Sequence, residues 1–431
     1  MDSLFTADFK LEPYWWDDVP RPPASTEALP REVDVLIIGS GYTGLTAAYE
    51  TAAGGRSTLV VDAEPAGFGC SSRNGGQISS SIKPSFDALC GRHNEQLAFA
   101  IRHEGLLALD YIEELIRTAD IDCDFARVGR FHAAHNRRQF AALAKLEREQ
   151  PKGLEVPMQL VPRDEQHREI GSDRYHGGAL YPRHAKLHPA KYHQGLLQRA
   201  RAVGATLVDG CAATSIRREG RYFRVQTTQG AVDARNVVVA TNGYSGPLSP
   251  WHRRRVIPIG SYIIATEPRA VADMRRLIPN DRMITDTRRV VFYYRLSPDQ
   301  RSLLFGGRVA FRESNPLLSA PALHACLNRI FPDLSDARIS HSWMGYIAYT
   351  FDALPHVGCH DGVHYAMGYC GSGISLATYF GMRIGQQVLG RAEGRTALDG
   401  IAFPTRPLYA GNPWFLAPSV WWYRMLDHLP L

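Results

Sequence analysis

Residues 33–64, VDVLIIGSGYTGLTAAYETAAGGRSTLVVDAE, restrict the fold of this chain more than any other stretch. Val33 to Ile38 has the β-branched, apolar character of a strand buried on both faces. Gly39, Gly41 and Gly44 follow as G-x-G-x-x-G. The first glycine permits a tight turn, the second lets backbone approach a pyrophosphate, and the third lets helix pack against strand. Thr46 to Ala53 is rich in small helix formers, and the helix N-terminus aims amide donors and a positive dipole end at phosphate. Ser57 to Val61 reads as the next strand, closed by Asp62. A carboxylate about 20 residues past the glycines suits a ribose 2′-hydroxyl rather than a 2′-phosphate. Any glycine-rich turn can match the bare spacing. Strand, glycines, helix, strand and acid in this order point to dinucleotide binding, the alternative being a unit of the same shape that only packs.

The chain has 431 residues, too many for one ordinary domain, so two domains or a nested pair are expected. Its 45% hydrophobic and 21% charged content is that of an ordinary soluble globular protein. The net charge of +6 rests on arginine, since the lysines are Lys10, Lys83, Lys145, Lys152, Lys186 and Lys191. No basic run exceeds His252 to Arg255 and no aromatic residues interleave with it, so nucleic acid is not an expected partner. The seven cysteines, at 70, 90, 123, 211, 326, 359 and 370, have no C-x-x-C or ligand-like spacing. That argues against a metal site and a disulfide framework, and fits a reducing, cytoplasmic compartment. The start, MDSLFTADFK, lacks the pattern of a signal peptide, and no stretch approaches the ~18 apolar residues of a membrane span. Neither is expected.

Along the chain, residues 1–29 are a proline-rich lead-in expected to lie on the surface, and 91–150 read as helices with apolar residues at 3–4 spacing. His188 to Val203 reads as a helix, Ala205 to Asp209 as a strand, and 221–246 as a hairpin returning into a central strand. From about 256 to 312 strands alternate with turns, the mark of an antiparallel sheet. Residues 365–390 repeat the strand, glycine turn and helix scheme. The expected fold class is therefore α/β, or mixed α+β. A Rossmann-like nucleotide-binding domain (30–90, 180–255 and 340–395) is interrupted by a substrate domain (91–179 and 256–339) with a mixed, largely antiparallel sheet. Residues 396–431 form a C-terminal tail.

GFGCSSRNGGQIS (67–79), VVVATNGYSG (237–246), GYIAYTFDALPHVG (345–358) and GYCGSGISLATYFG (368–381) together resemble the D-amino-acid oxidase superfamily of FAD-dependent oxidoreductases, over residues 30–395. Within it the strings look most like gamma-glutamylputrescine oxidase and its relatives. The resemblance implies an amine oxidase that passes hydride from a C–N bond to FAD. The imine then hydrolyses to an aldehyde or keto acid, and oxygen takes the electrons, giving hydrogen peroxide. It places Gly39, Gly41 and Gly44 at the pyrophosphate and Asp62 at the adenosine ribose. Ser71, Arg73, Asn74, Gly75 and Gly76 would run beside pyrophosphate and flavin, and Ala240, Thr241 and Gly243 would close the adenine side. Gly371, Ser372, Gly373 and Ile374 would sit under the pyrimidine edge, where the helix dipole stabilises negative charge on the ring. Relatives with covalent FAD carry a cysteine just before D-x-x-P; GYIAYTFDALP has none, so FAD is expected to be non-covalent. Many relatives have histidine where Ser372 stands. Cys70 and Cys370 lie in flavin-facing turns and read as packing or as cofactor contacts.

On the substrate side, amino-acid oxidases of the superfamily clamp the carboxylate with arginine, in several on the strand before D-x-x-P. Here that strand is SWMGYIAYT, without arginine, so an amine with a longer, less acidic tail is expected in place of a simple D-amino acid. Candidate lining residues are Tyr262, Tyr293, Tyr294, Arg308, Trp343 and Tyr346. Each aromatic reads equally as sheet packing, and Arg308 equally as a surface ion-pair partner. His184, His188 and His356 receive no proton-transfer role, because a neutral amine held over the flavin needs little acid–base help. In sarcosine-oxidase-like relatives a lysine over the flavin promotes reaction with oxygen. SLLFGGR (302–308) has none, which leaves Arg308 or Lys83. Two other readings stand beside this one. One is a dehydrogenase handing electrons to a quinone or carrier protein, with the aromatic tail 412–429 at a membrane surface, although docking of that tail across the substrate domain is the favoured reading; the other is a flavin-binding protein without turnover.

Overall fold

The computed structural model describes residues 4–19, 21, 25, 27–308 and 315–428. Residues 1–3, 20, 22–24 and 26 of the lead-in and 429–431 of the tail lie outside the described residues. Two sheets organise the chain. The first has eight strands, with Gly230–Val239, Glu32–Ile38, Thr58–Val61 and Thr206–Val208 running parallel, the last at one edge. A hairpin, Ala213–Glu219 with Tyr222–Thr227, extends one edge. Val363–Met367 pairs parallel to Gly230–Val239, and His356–His360 pairs antiparallel to it in turn.

The apolar run of Val35 to Ile38 is explained by burial on both faces. Val35 and Ile37 enter one core with helices Tyr42–Ala53, Glu95–Thr118, Pro189–Ala202 and Gly373–Val388. Val33, Leu36 and Ile38 enter another with the hairpin side. Side chains alternate with period two, so a strand covered on both sides must be apolar throughout. Small residues let Tyr42–Ala53 and Gly373–Val388 pack backbone to backbone: a Cβ on Gly381 would stand 2.5 Å from the Thr43 carbonyl oxygen.

The second sheet has nine strands. Their order is Phe5–Lys10, Ile339–Tyr349, Ile257–Thr266, Leu303–Gly307, Tyr293–Leu296, Met283–Asp286, Arg130–Ala133, Gly178–Tyr181 and Gln159–Val161. Two pairings are parallel (Phe5–Lys10 with Ile339–Tyr349, and Met283–Asp286 with Arg130–Ala133), and the others are antiparallel.

Four expectations are corrected. Residues 340–349, expected with the nucleotide-binding pieces, lie in strand Ile339–Tyr349, which pairs along its length with Ile257–Thr266 in the second sheet. Helix Glu95–Thr118, expected with the substrate domain, buries Ala98, Ile101, Ala108 and Ile112 in the core of the first sheet. The stretch 91–150 is not all helix: strand Arg130–Ala133 lies inside it. The lead-in is not merely superficial, since Trp15 is fully buried and its Nε1 donates to the Asn74 carbonyl at 2.9 Å.

Candidate active site and cofactor cradle

A cavity of about 1340 Å³ lies where the two sheets meet, and two helices aim their N-termini into it through Gly41–Thr43 and Gly371–Ile374. Four other long helices (Glu95–Thr118, Arg137–Arg148, Pro189–Ala202 and Pro316–Ile330) are each closed by a side chain accepting a backbone amide. Tyr42–Ala53 and Gly373–Val388 have no such cap. Apart from Tyr42 N, which Ser71 Oγ meets from the neighbouring loop, their N-terminal amides and positive dipole ends are left for a ligand's anionic groups.

The glycines build the cradle by what they lack. Gly39 turns at φ 107°, and a Cβ on Gly44 would fall 1.9 Å from the Gly39 carbonyl oxygen. Gly44 therefore seats the helix on the strand from behind, while Gly39 and Gly41 line the cavity. Asp62 lines it too. Its Oδ2 accepts from Ser40 N at 2.7 Å and Ser40 Oγ at 2.6 Å, and its Oδ1 from Glu64 N at 3.1 Å. A carboxylate has about four acceptor positions, so this leaves room for one hydroxyl donor.

The loop 67–76 is tied from several sides. Ser71 Oγ accepts from Tyr42 N at 3.1 Å, and Asn74 spans its own loop, donating to Cys70 O and Ser71 O and accepting from Gly76 N. The Arg73 guanidinium lies between the Trp16 and Phe68 rings, 4.7 and 4.3 Å from their centroids, and burial pushes its pKa down. Arg73 thus locks lead-in to loop. Ser71, Arg73, Asn74 and Gly75 line the cavity, whereas Gly76 stands behind it, a Cβ there falling 2.3 Å from the Leu187 carbonyl oxygen. Ala240, Thr241, Gly371, Ser372, Gly373 and Ile374 are also on the wall. Gly243 is not: it makes room for the strand Ile339–Tyr349, a Cβ there falling 2.8 Å from Tyr346 O. Cys70 and Cys370 reach the wall, and burial pushes both thiols up to about 11, so neither is a thiolate at neutral pH.

The second sheet offers its other wall, and strand parity sorts the aromatic candidates. Tyr293 pairs with Thr285 and Gly306 and faces the cavity, where its hydroxyl meets Ser261 Oγ at 2.7 Å. Tyr294, one residue on, faces the opposite core and donates to Tyr175 Oη at 3.0 Å. Tyr262 lies in that same core. Trp343 is sealed against Trp15, with its Nε1 on Arg73 O at 2.8 Å. Tyr346 packs edge-on against Tyr244, with ring centroids 5.5 Å apart. Tyr262, Tyr294, Trp343 and Tyr346 are thereby removed from the substrate wall. Arg308 stays on it, its Nη1 donating to Gly260 O at 2.9 Å. Lys83 stands on the wall with Nζ 5.8 Å from the Tyr349 ring centroid.

Other wall residues escaped the sequence reading. Helix Leu416–His428 contributes Leu416, Ser419, Val420 and Tyr423, and is anchored by Asp427 accepting from Arg289 N at 2.9 Å and Val290 N at 3.2 Å. Ser261, Arg102, Arg130, His132 and Tyr181 come from elements whose facing depends on distant pairing. Among the described residues, no helix is long and apolar enough to cross a membrane.

Comparison with known proteins matches the features just described. The family model described as FAD dependent oxidoreductase covers residues 34–387. The gamma-glutamylputrescine oxidoreductase of Escherichia coli is 30% identical over 404 residues, 92% of this chain and 93% of that protein. A probable oxidoreductase, OrdL, of Haemophilus influenzae is 31% identical over 394 residues, 88% of each. Among solved structures, glycine oxidase from Geobacillus kaustophilus superposes with a TM-score of 0.71 at 20% identity, covering 88% of this chain and 99% of that one. Two helix N-termini and a glycine turn thus meet in a cavity fit for a dinucleotide, in a chain matched from strand Glu32–Ile38 to helix Gly373–Val388. The chain belongs to the FAD-dependent oxidoreductase family, and FAD is its cofactor.

Proposed function

We propose that this oxidoreductase is an amine oxidase acting on the C–N bond of a secondary or gamma-glutamylated amine. Its imine product hydrolyses to an aldehyde or keto acid, and oxygen is the acceptor, giving hydrogen peroxide. Bound FAD supplies the two-electron acceptor. The observation that carries the reading is the opposition of two walls. Gly371–Ile374 and Ser71–Gly75 bound the cofactor side, and Ser261, Tyr293 and Arg308 face them across one cavity. The chain's own residues bind and orient: the helix N-termini hold anionic groups, the Tyr293 ring fixes the depth of the reacting end, and packed sheet excludes water. No arginine stands between Ser342 and Thr350, which favours a reacting carbon without an adjacent carboxylate. The similarity to gamma-glutamylputrescine oxidoreductase supports the same substrate class. We assign the eight-stranded sheet and its helices to FAD and the nine-stranded sheet to substrate.

The test is anaerobic mixing of the purified yellow protein with polyamines, gamma-glutamyl-amines, N-methyl amino acids and D-amino acids while following flavin absorbance. Bleaching by a gamma-glutamylated or secondary amine is the expected result. No bleaching by any of them favours a flavin-binding protein without turnover. A second reading, a dehydrogenase using a quinone or protein acceptor, draws on Trp414, Trp421 and Trp422, exposed beside the cavity at 64%, 58% and 49%. Turnover with an artificial quinone far exceeding turnover with oxygen would select it.

A further inference from the structure

One arm of the cavity has no part in the reading above. Strand Arg130–Ala133 runs between Met283–Asp286 and Gly178–Tyr181, so that Arg130 lies opposite Tyr181 and His132 opposite Thr285. Period two sends Phe131 and Ala133 into the core and leaves Arg130 and His132 toward the cavity. Helix Glu95–Thr118 adds Arg102, and the turn before strand Ala185–Lys186 adds His184.

The charge in this arm is not balanced. The Arg130 guanidinium stands 4.9 Å from the Tyr181 ring centroid; its Nε is buried without a hydrogen bond, and it forms no ion pair among the described residues. Among the described residues Arg102 donates only to backbone, to Ile82 O at 2.6 Å and Pro84 O at 3.3 Å. His184, 1% exposed, stacks on Tyr181 with centroids 5.1 Å apart and leaves Nδ1 without a partner. His132 Nδ1 is engaged by Thr285 Oγ1 at 2.9 Å. The acid that the second sheet places on the wall, Asp286, is taken up by Arg288 and by the Phe292 amide. Burial pushes Arg130 and Arg102 down, and pushes His132 down to about 3 and His184 well below its ordinary value, with Arg130 adding to both histidine shifts. The imidazoles stay neutral and the guanidiniums carry the charge. A buried cation without a counter-ion is costly, and an anion delivered by a ligand relieves it.

We propose that Arg130, with Arg102, Tyr181 and His184, forms a carboxylate subsite for the far end of the substrate, which is therefore an amine with a carboxylate at the opposite end of its chain. This rests on the amine-oxidising reading of the same cavity. Tyr293 lies two strands from His132, roughly 10 Å at ~4.8 Å per strand, and Arg130 is two residues along from His132, so the span to Arg130 is roughly 12 Å. A carboxylate bonded to the oxidised carbon cannot reach across that gap. A chain of roughly nine or ten bonds between the two groups can. Guanidinium binds carboxylate with two parallel donors, which fixes orientation as well as charge.

The FAD-loaded enzyme is titrated with glutarate and with glutaramide, its uncharged counterpart, read by calorimetry and by perturbation of flavin absorbance. Wild type is expected to bind glutarate at least about tenfold tighter than glutaramide. Arg130→Met should weaken glutarate by about tenfold or more and leave glutaramide within about threefold, while Arg130→Lys recovers part of the loss. Equal affinity of wild type for the two probes overturns the proposal, as does unchanged glutarate binding in flavin-loaded Arg130→Met. If Arg130→Met does not load flavin, the wild-type comparison and Arg130→Lys decide. Glutarate is not oxidised, so this result stands apart from a failure of every amine to bleach the flavin, which overturns the amine-oxidising reading instead.

Discussion

The Tyr293 ring lies over the bare Cα of Gly306, where a Cβ would fall 2.3 Å from its Cε2 and Cζ, and the same Cε2 edge faces Gly75 of the cofactor loop, where a Cβ would fall 3.1 Å from Cε2. One tyrosine therefore spans from substrate sheet to cofactor loop, with its hydroxyl held by Ser261 at 2.7 Å. Gly306→Ala is expected to tilt the ring and lower kcat/KM by roughly 100-fold while flavin content stays near one per chain, because a small misplacement of a positioning group costs about that much. Tyr293→Phe keeps the ring and should lose only about tenfold, the worth of one hydrogen bond. Steady-state kinetics with flavin quantitation checks both; an effect of Gly306→Ala no larger than that of Tyr293→Phe counts against the ring as a positioning element.

Replacement at two glycines should separate folding from cofactor loading. Gly44→Ala places a methyl on the Gly39 carbonyl, a backbone clash no rotamer relieves, and is expected to cost roughly 1–3 kcal/mol and to abolish flavin binding. Gly41→Val meets only Ser71 Oγ, at 3.0 Å, so the apoprotein should melt near the wild-type apoprotein yet bind no FAD. Flavin released by heat or acid from wild type should be FAD, leaving a colourless polypeptide. Colour retained by the precipitate would mean covalent attachment.

Short D-amino acids should be poor substrates. The wall offered by Ile339–Tyr349 consists of Gly345, Ile347, Ala348 and Tyr349, with no cationic side chain to pair a carboxylate beside the reacting carbon. The kcat/KM for D-alanine is expected to fall at least ~100-fold below that of the best secondary or gamma-glutamylated amine, as one missing charged contact predicts. Saturation by D-alanine at micromolar concentration would overturn this.

Reaction with oxygen should depend on a fixed positive charge at the cavity wall, since transfer of an electron to oxygen makes an anion. Of the cations on the wall, Arg308, held on Gly260 O, and Lys83, beside Tyr349, are the two proposed for this part. Arg308→Met is expected to slow oxygen-dependent reoxidation by about tenfold or more in stopped flow. Rates unchanged in both Arg308→Met and Lys83→Met would remove charge as the explanation.

Stability should fall below about pH 6.5. Burial pushes His132 and His252 each down to about 3, so between that value and 6.5 the unfolded chain binds protons the folded chain refuses. Proton uptake on unfolding means stability rises with pH across the window, by up to about 1.4 kcal/mol per pH unit for each group. Thermal melts of the FAD-loaded enzyme at pH 7.5 and about 5.5 should differ, and His252→Asn should shrink the difference. A flat profile from about pH 7 to 5 is the opposing result.

Local spacing alone determined the nucleotide half of this protein. Val33 to Ile38, the three glycines, Asp62 and the Gly371–Ile374 turn are legible because strand, turn and helix each impose a period on neighbouring residues. The lack of arginine between Ser342 and Thr350 is likewise a sequence fact. Tertiary structure decided the substrate wall. In the adjacent pair Tyr293 and Tyr294, both aromatic and both in a strand, one residue of register sends the first to the cavity and the second to the core. The sequence cannot set that parity, because it depends on Gly306 and Phe305 in a neighbouring strand. Arg130 reaches the cavity only because its strand pairs with residues 283–286, more than a hundred positions later, and Trp15 is core only because the lead-in crosses both sheets. Non-local pairing leaves no period in the chain, so those placements exist only once the sheet has closed.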